Sequence, residues 1–135
     1  MKAKYFLIVD AIILLLFAVG YLLTPQWVLA QFDITVNDGG VMMAQLFGAT
    51  LLGIAVLNWL SREAHYFEEL RPVALANFVG HGLVFVVLLL QKMNGLGNGY
   101  CWFVIAFALI FTLAFGYFSF VHTGMEKPGV TPKPA

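Results

Sequence analysis

The chain has 135 residues, 61% of them hydrophobic and only 10% charged. A soluble domain carries about 25% charged residues, so this is the composition of a membrane protein with length for a single bundle. Seven basic and 7 acidic residues cancel, which removes any basis for a nucleic-acid partner, and the single Cys101 excludes an intrachain disulfide and a cysteine-based metal site.

The first apolar run, residues 5–23, is interrupted only by Asp10. Lys2 and Lys4 ahead of it raise the pattern of a signal peptide, but an Asp inside the apolar region argues for a retained helix. Pro25 ends that helix, and the following WVLAQF, residues 27–32, predicts a short amphipathic turn at the membrane interface. Asn37, Asp38, Gly39 and Gly40 supply turn and N-cap chemistry before the second run.

That second run, residues 41–60, has no formal charge over 20 residues, about the length a helix needs to cross a bilayer. Its small residues recur at helical spacing. Ala44, Gly48 and Ala55 share one stripe with Asn58, and Ala49 and Gly53 form a second small pair beside it. Small residues let helix backbones approach closely in lipid, so all five are expected to pack against neighbouring helices.

Residues 61–71 hold Arg62, Glu63, His65, Glu68, Glu69 and Arg71 and predict a charged loop, with Pro72 as the first residue of the next helix. The third span is expected over 73–90 and carries Asn77 and His81. NGLGNG then predicts a turn, and the fourth span follows over 100–120, crowded with Phe. The fold expected is all-α: a four-helix transmembrane bundle over residues 1–122, with residues 123–135 as a flexible cytoplasmic tail.

Lys2, Lys4, Arg62, Arg71, Lys127 and Lys133 fall on one side of this arrangement and only Lys92 on the other. The positive-inside rule therefore predicts both termini in the cytoplasm and a multi-pass protein of the cell inner membrane. Trp27 and Trp102 then mark the outer interface and Trp59 the inner one.

With 1.5 Å of rise per residue, Asp10 lies about 8 Å inside the cytoplasmic boundary, Asn77 about 6 Å and His81 about 12 Å. Asn58 lies close to that boundary, and polarity collects in the cytoplasmic half. An Asp at a helix centre costs about 2.5–3.5 kcal/mol on insertion scales, so Asp10 needs a reason to be there. It is either a functional carboxylate or structural glue bonded to Asn58 or Asn77. Asn77 and His81 are one turn apart and share a face, as a ligand-contacting or proton-handling pair or as satisfied interhelical groups. A haem held by two histidines needs a second axial ligand at matching depth, which neither His65 nor His122 offers. Phe103, Phe107, Phe111 and Phe115 step by four, as a lipid-facing or packed stripe or a surface for a quinone. Ala108, Thr112 and Ser119 would then form the inward face. Arg62 and Arg71 are topology signals that also suit lipid phosphate.

The run AQLFGATLLGIAVLNWLSR, with the Pro-Gln-Trp segment before it and two spans after it, resembles the DoxX-like and related bacterial four-helix membrane proteins. Many of those carry an arginine before the LFGA-type run, where this chain has Gln45. The FGA-type run and the Gly80-His81 pair are also faintly similar to the four-helix scaffold protein of sterol biosynthesis, which tethers membrane enzymes without catalysis. No Ser/His/Asp, Cys/His or metal-ligand spacing occurs, so an enzyme acting alone is not expected. Three functions compete. The first is a non-catalytic accessory or scaffold subunit, packing against a larger membrane complex or against itself. The second is a quinone or lipid binder using Asp10, Asn58, Asn77 and His81. The third is a proton-coupled transporter resembling the small multidrug resistance proteins, with Asp10 as its carboxylate.

Overall fold

The structure, a computed structural model, describes residues 2–121. His122 and the tail expected over 123–135, with Lys127 and Lys133, lie outside the described residues. The chain forms α1 (Lys2–Leu23), α2 (Pro25–Ala30), α3 (Asp38–Ser61), α4 (Phe67–Met93) and α5 (Cys101–Phe120). All but α2 are long and apolar enough to cross a membrane, which makes this a multi-pass membrane protein with an all-helical bundle.

Local chemistry explains most of the boundaries. Thr24 leaves helical geometry and Pro25 restarts the chain as the first residue of α2. The Asn37 side chain accepts from the Gly40 N–H at 3.0 Å and caps α3. The start of α4 corrects the sequence reading, which placed Pro72 at the first helical position. Glu69 reaches back to the backbone N–H groups of His65, at 3.1 Å, and Tyr66, at 3.4 Å, and so starts the helix ahead of Pro72. Pro72 then removes a single hydrogen bond near an exposed helix end, and α4 tolerates it. Between α4 and α5, Gly95 and Gly97 take φ of 85° and 72°, a conformation that side chains with a Cβ disfavour.

The helices pack as two hairpins. In the first, α3 returns antiparallel against α1, and Gly48 is the seat: a Cβ there would lie 3.1 Å from the Ala18 carbonyl oxygen and from the Leu22 nitrogen. Leu14, Ala18, Leu51 and Ala55 fill this interface. In the second, α5 returns against α4, with Gly116 under the Phe78 ring. Ala44, Gly48 and Ala55 are buried as the small stripe predicts. Ala49 and Gly53 are not, and this corrects the packing expected for them. Each residue turns the helix by about 100°, which carries that pair off the stripe and onto the outer face. A Cβ on Gly53 would meet nothing within 4 Å.

Among the described residues, the helices of the two hairpins share a buried core at the end that carries the N-terminus. There Ala3 and Leu7 of α1 pack with Leu70 and Ala74 of α4 and with Phe111, Phe115 and Phe118 of α5. The Phe stripe of α5 is thus mostly core: Phe111 and Phe115 are buried and Phe107 half-buried, while Phe103 is 75% exposed. Ala108 and Ser119 are buried as well, so both faces expected to compete for the interior reach it. At the opposite end the Asn98 N–H and side chain donate to the carbonyls of Phe32 (3.1 Å) and Gln31 (2.8 Å), tying the loop after α2 to the α4–α5 turn.

Candidate functional site

Asp10, Asn58, Asn77 and His81 come from three helices and converge in the joined half of the bundle, all of them buried. Asp10 and Asn58 are wholly inaccessible. The Asn58 amide donates to Asp10 Oδ2 at 2.7 Å and more distantly to Asn77 Oδ1 at 3.3 Å. The Asn77 amide donates in return to Asn58 Oδ1 at 2.7 Å and to the Val73 carbonyl at 3.0 Å. His81 Nε2 faces the Asp10 carboxylate, 3.1 Å from Oδ1 and 3.3 Å from Oδ2. The bond is directed at Oδ2; Oδ1 has the shorter contact but receives no well-directed hydrogen bond. Apart from its Asp10 edge, the imidazole is held by rings. It stacks on Phe115 at 9° with centroids 5.8 Å apart, and Phe107 and Phe111 stand 5.7 and 5.5 Å away.

Two of these four residues open onto a cleft. It lies between the hairpins where they diverge and has a volume of about 310 Å³. Asn77 and His81 form one polar end, and the rest is mostly apolar, with Leu14, Phe17 and Tyr21 on α1 facing Val104, Phe107 and Ala108 on α5; the Tyr21 and Thr50 hydroxyls and the Cys101 thiol are the other polar groups of its wall. Phe32 and Ile34, from the loop tied down by Asn98, close the other end. The side between α3 and α4 is open, where Phe47, Thr50 and Leu57 face Ala76 and Gly80, all five exposed. The open flank lies between two of the helices that are long and apolar enough to cross a membrane. The volume of the cleft is at the small end of ligand pockets, and so is its mix of apolar wall and few polar groups.

Other candidates from the sequence lie elsewhere. The Arg62 guanidinium sits 4.3 Å over the Trp59 ring, bonds the Trp59 carbonyl and pairs with Glu63 at 3.2 Å. Arg71 is exposed early in α4. Neither borders the cleft. Thr112 and Ser119 bond the carbonyls of their own helix, at 2.7 and 2.6 Å, and take no part in the cluster. Sequence reasoning paired His81 with Asn77 and missed its contact with Asp10, 71 residues away. The similar depths of about 8 and 12 Å were the available signal. The cleft had none.

Fold and site together define a small multi-pass membrane protein with a buried polar cluster at the closed end of a flank-open cleft. Residues 1–120 match the profile of a family described as Domain of unknown function (DUF8292), and the chain belongs to that family. No curated protein and no solved structure matches it.

Proposed function

We propose that this protein binds a lipophilic small molecule of the membrane, taking it through the open flank between α3 and α4. The observation that carries this reading is the cleft of about 310 Å³ with Asn77 and His81 at one end of a mostly apolar wall. Packing of four long helices explains the buried cluster but not the gap beside it, because apolar helices in lipid gain by closing such gaps. The reading is of a binding protein and not of a catalyst acting alone. The cluster has one carboxylate, one imidazole and two amides, with no hydroxyl or thiol nucleophile among them.

Gly80 offers a direct test. A Cβ there meets nothing within 4 Å, so a larger side chain extends into the mouth of the cleft without displacing the backbone. Protein gently extracted from its membrane is expected to carry an apolar molecule in native mass spectra, and Gly80→Phe is expected to lose most of it while melting like the parent. Equal occupancy in parent and variant would remove the cleft as the binding site.

An accessory or scaffold role is the second reading, and one observation favours it. The exposed Ala49 and Gly53 leave a shallow small-residue groove on the outer face of α3, the kind of surface a partner transmembrane helix packs into.

The orientation belongs to the same proposal: both termini in the cytoplasm and residence in the cell inner membrane, supported by the bias of basic residues toward the N-terminal end. Cysteine labelling is expected to modify positions 33 and 98 from outside and position 68 only after permeabilisation. External labelling at position 68 would reverse the arrangement and turn the polar end of the cleft outward.

A further inference from the structure

The donors and acceptors at the polar end of the cleft restrict what its occupant must bring. Each Asn side chain has two N–H donors, and a neutral imidazole has one. Both donors of Asn58 are engaged, by Asp10 and Asn77, and both donors of Asn77, by Asn58 and Val73. His81 directs Nε2 at the Asp10 carboxyl group, and with a neutral imidazole facing a carboxylate, which can only accept, the ring hydrogen is assigned to Nε2. Nδ1 then carries a lone pair on a ring that lines the cleft, and the hydrogen bonding of this imidazole among the described residues runs through Nε2. Asn77 Oδ1 receives only the long 3.3 Å bond from Asn58 and keeps a second lone pair. All the N–H groups of the cluster point inward, and what they leave at this end of the cleft is acceptors; the Tyr21, Thr50 and Cys101 side chains that also line the cleft stand further along their helices.

We infer that the molecule bound in the cleft is a lipophilic alcohol or phenol, whose hydroxyl donates a hydrogen bond to His81 Nδ1. This rests on the binding function proposed above and adds the chemistry of the head group. An ester, ether or quinone carbonyl would set lone pair against lone pair at the buried end of the cleft. A hydroxyl satisfies this acceptor, and the apolar wall takes the chain or ring attached to it. Asp10 acts here as a positioning residue. It touches no ligand but holds the ring hydrogen on Nε2 and thereby the acceptor on Nδ1.

The test is a competition between matched probes on delipidated protein, read by native mass spectrometry. The probes are a decyl-substituted benzohydroquinone kept reduced, its dimethyl ether, the corresponding quinone, and hexadecan-1-ol beside its methyl ether. Each hydroxyl compound is expected to bind about tenfold more tightly than its ether, the usual size of one hydrogen bond. Whether the hydroquinone or the alkanol binds more tightly distinguishes a phenolic from an aliphatic source, and either preference supports the hydroxyl. Asp10→Asn supplies a readout that a merely structural carboxylate would not move. An amide at position 10 can accept from Asn58 and donate to His81 Nε2, which shifts the ring hydrogen to Nδ1. The preference is then expected to reverse, the quinone binding about tenfold more tightly than the hydroquinone.

Equal binding of hydroxyls and ethers by the parent, with all of it lost in Gly80→Phe, would overturn the hydroxyl assignment and leave the cleft standing. A parent that prefers the quinone would overturn it too, because Nδ1 would then carry a hydrogen. An unchanged preference in Asp10→Asn would remove Asp10 from its positioning role. If no probe binds the parent at all, the binding function itself falls, and the inference with it.

Discussion

Asp10→Leu is expected to lower the thermal stability of the detergent-solubilised protein by about 1–3 kcal/mol, the penalty for buried donors left without an acceptor. The Asp10 carboxylate is wholly inaccessible and accepts from Asn58 at 2.7 Å and from His81 at 3.3 Å. A leucine fills similar volume and strands both donors in the joined half of the bundle, where no water reaches them. Interhelical hydrogen bonds average about 0.6 kcal/mol when the unfolded chain in the membrane finds other partners, so that value is a floor. Asp10→Asn is expected to melt within about 0.5 kcal/mol of the parent, because its amide keeps the bond to Asn58 and presents an N–H to the imidazole. The two substitutions therefore separate hydrogen bonding from charge. If Asp10→Asn melts as low as Asp10→Leu, the charge of the carboxylate holds the cluster, and amide bridging is not enough. Asp10→Leu should also cost less in a His81→Leu background than in the parent, since one of the stranded donors is already gone.

The four spans were legible because bilayer thickness imposes a length on apolar runs, and residues 5–23 and 41–60 satisfy it without any knowledge of the fold. Boundaries set by local chemistry were legible too: Pro25 and Asn37 act through their own backbone and their neighbours. The early start of α4 escaped because Glu69 reaches back ahead of Pro72, and the proline is the stronger signal in the sequence. Depth put Asp10, Asn58, Asn77 and His81 in one half of the bundle, together with Ser119, which bonds its own helix instead. The connectivity of the cluster was not legible. Which face of α1 meets which face of α4 depends on how the hairpins dock, and no periodicity encodes that. The hydrophobic pattern is weak in a bundle whose outer face is as apolar as its inner one, which is why Ala49 and Gly53 read like Ala44 and Gly48. The cleft is a still more global property. It exists because Phe111, Phe115 and Phe118 fill one end of the gap between the hairpins, while at the other end the loop residues Phe32 and Ile34 close it without filling it.

Gly48→Leu is expected to be the most disruptive single substitution in the first hairpin, and Gly53→Leu, five residues on along the same helix, nearly silent. At position 48 a Cβ would lie 2.8 Å from Tyr21 Cβ and 3.1 Å from two backbone atoms of α1. A side-chain tip can rotate away, but the Ala18 carbonyl and the Leu22 nitrogen move only if α1 moves. Overpacking of this kind costs about 1–3 kcal/mol in ordinary cores, and the upper part of that range applies where backbone must give way. Separation of α1 from α3 also strains the bond from the Gln45 side chain to the Leu22 carbonyl, now 3.2 Å. Gly48→Ala adds the offending Cβ and little else, so it should already show a measurable fraction of the loss. At position 53 the same atom meets open space, and replacing a helical glycine removes a penalty of about 1 kcal/mol, so Gly53→Leu should melt at or slightly above the parent. The consequence reaches the cleft as well. Tyr21, displaced first by a side chain at position 48, lines the cleft and packs edge-on to Phe47 with centroids 5.3 Å apart. Gly48→Leu should therefore reduce ligand occupancy along with stability, while Gly53→Leu should keep both. Equal melting of the two leucine variants would show that the hairpin is not seated on Gly48, and the docking of α1 on α3 would have to be redrawn.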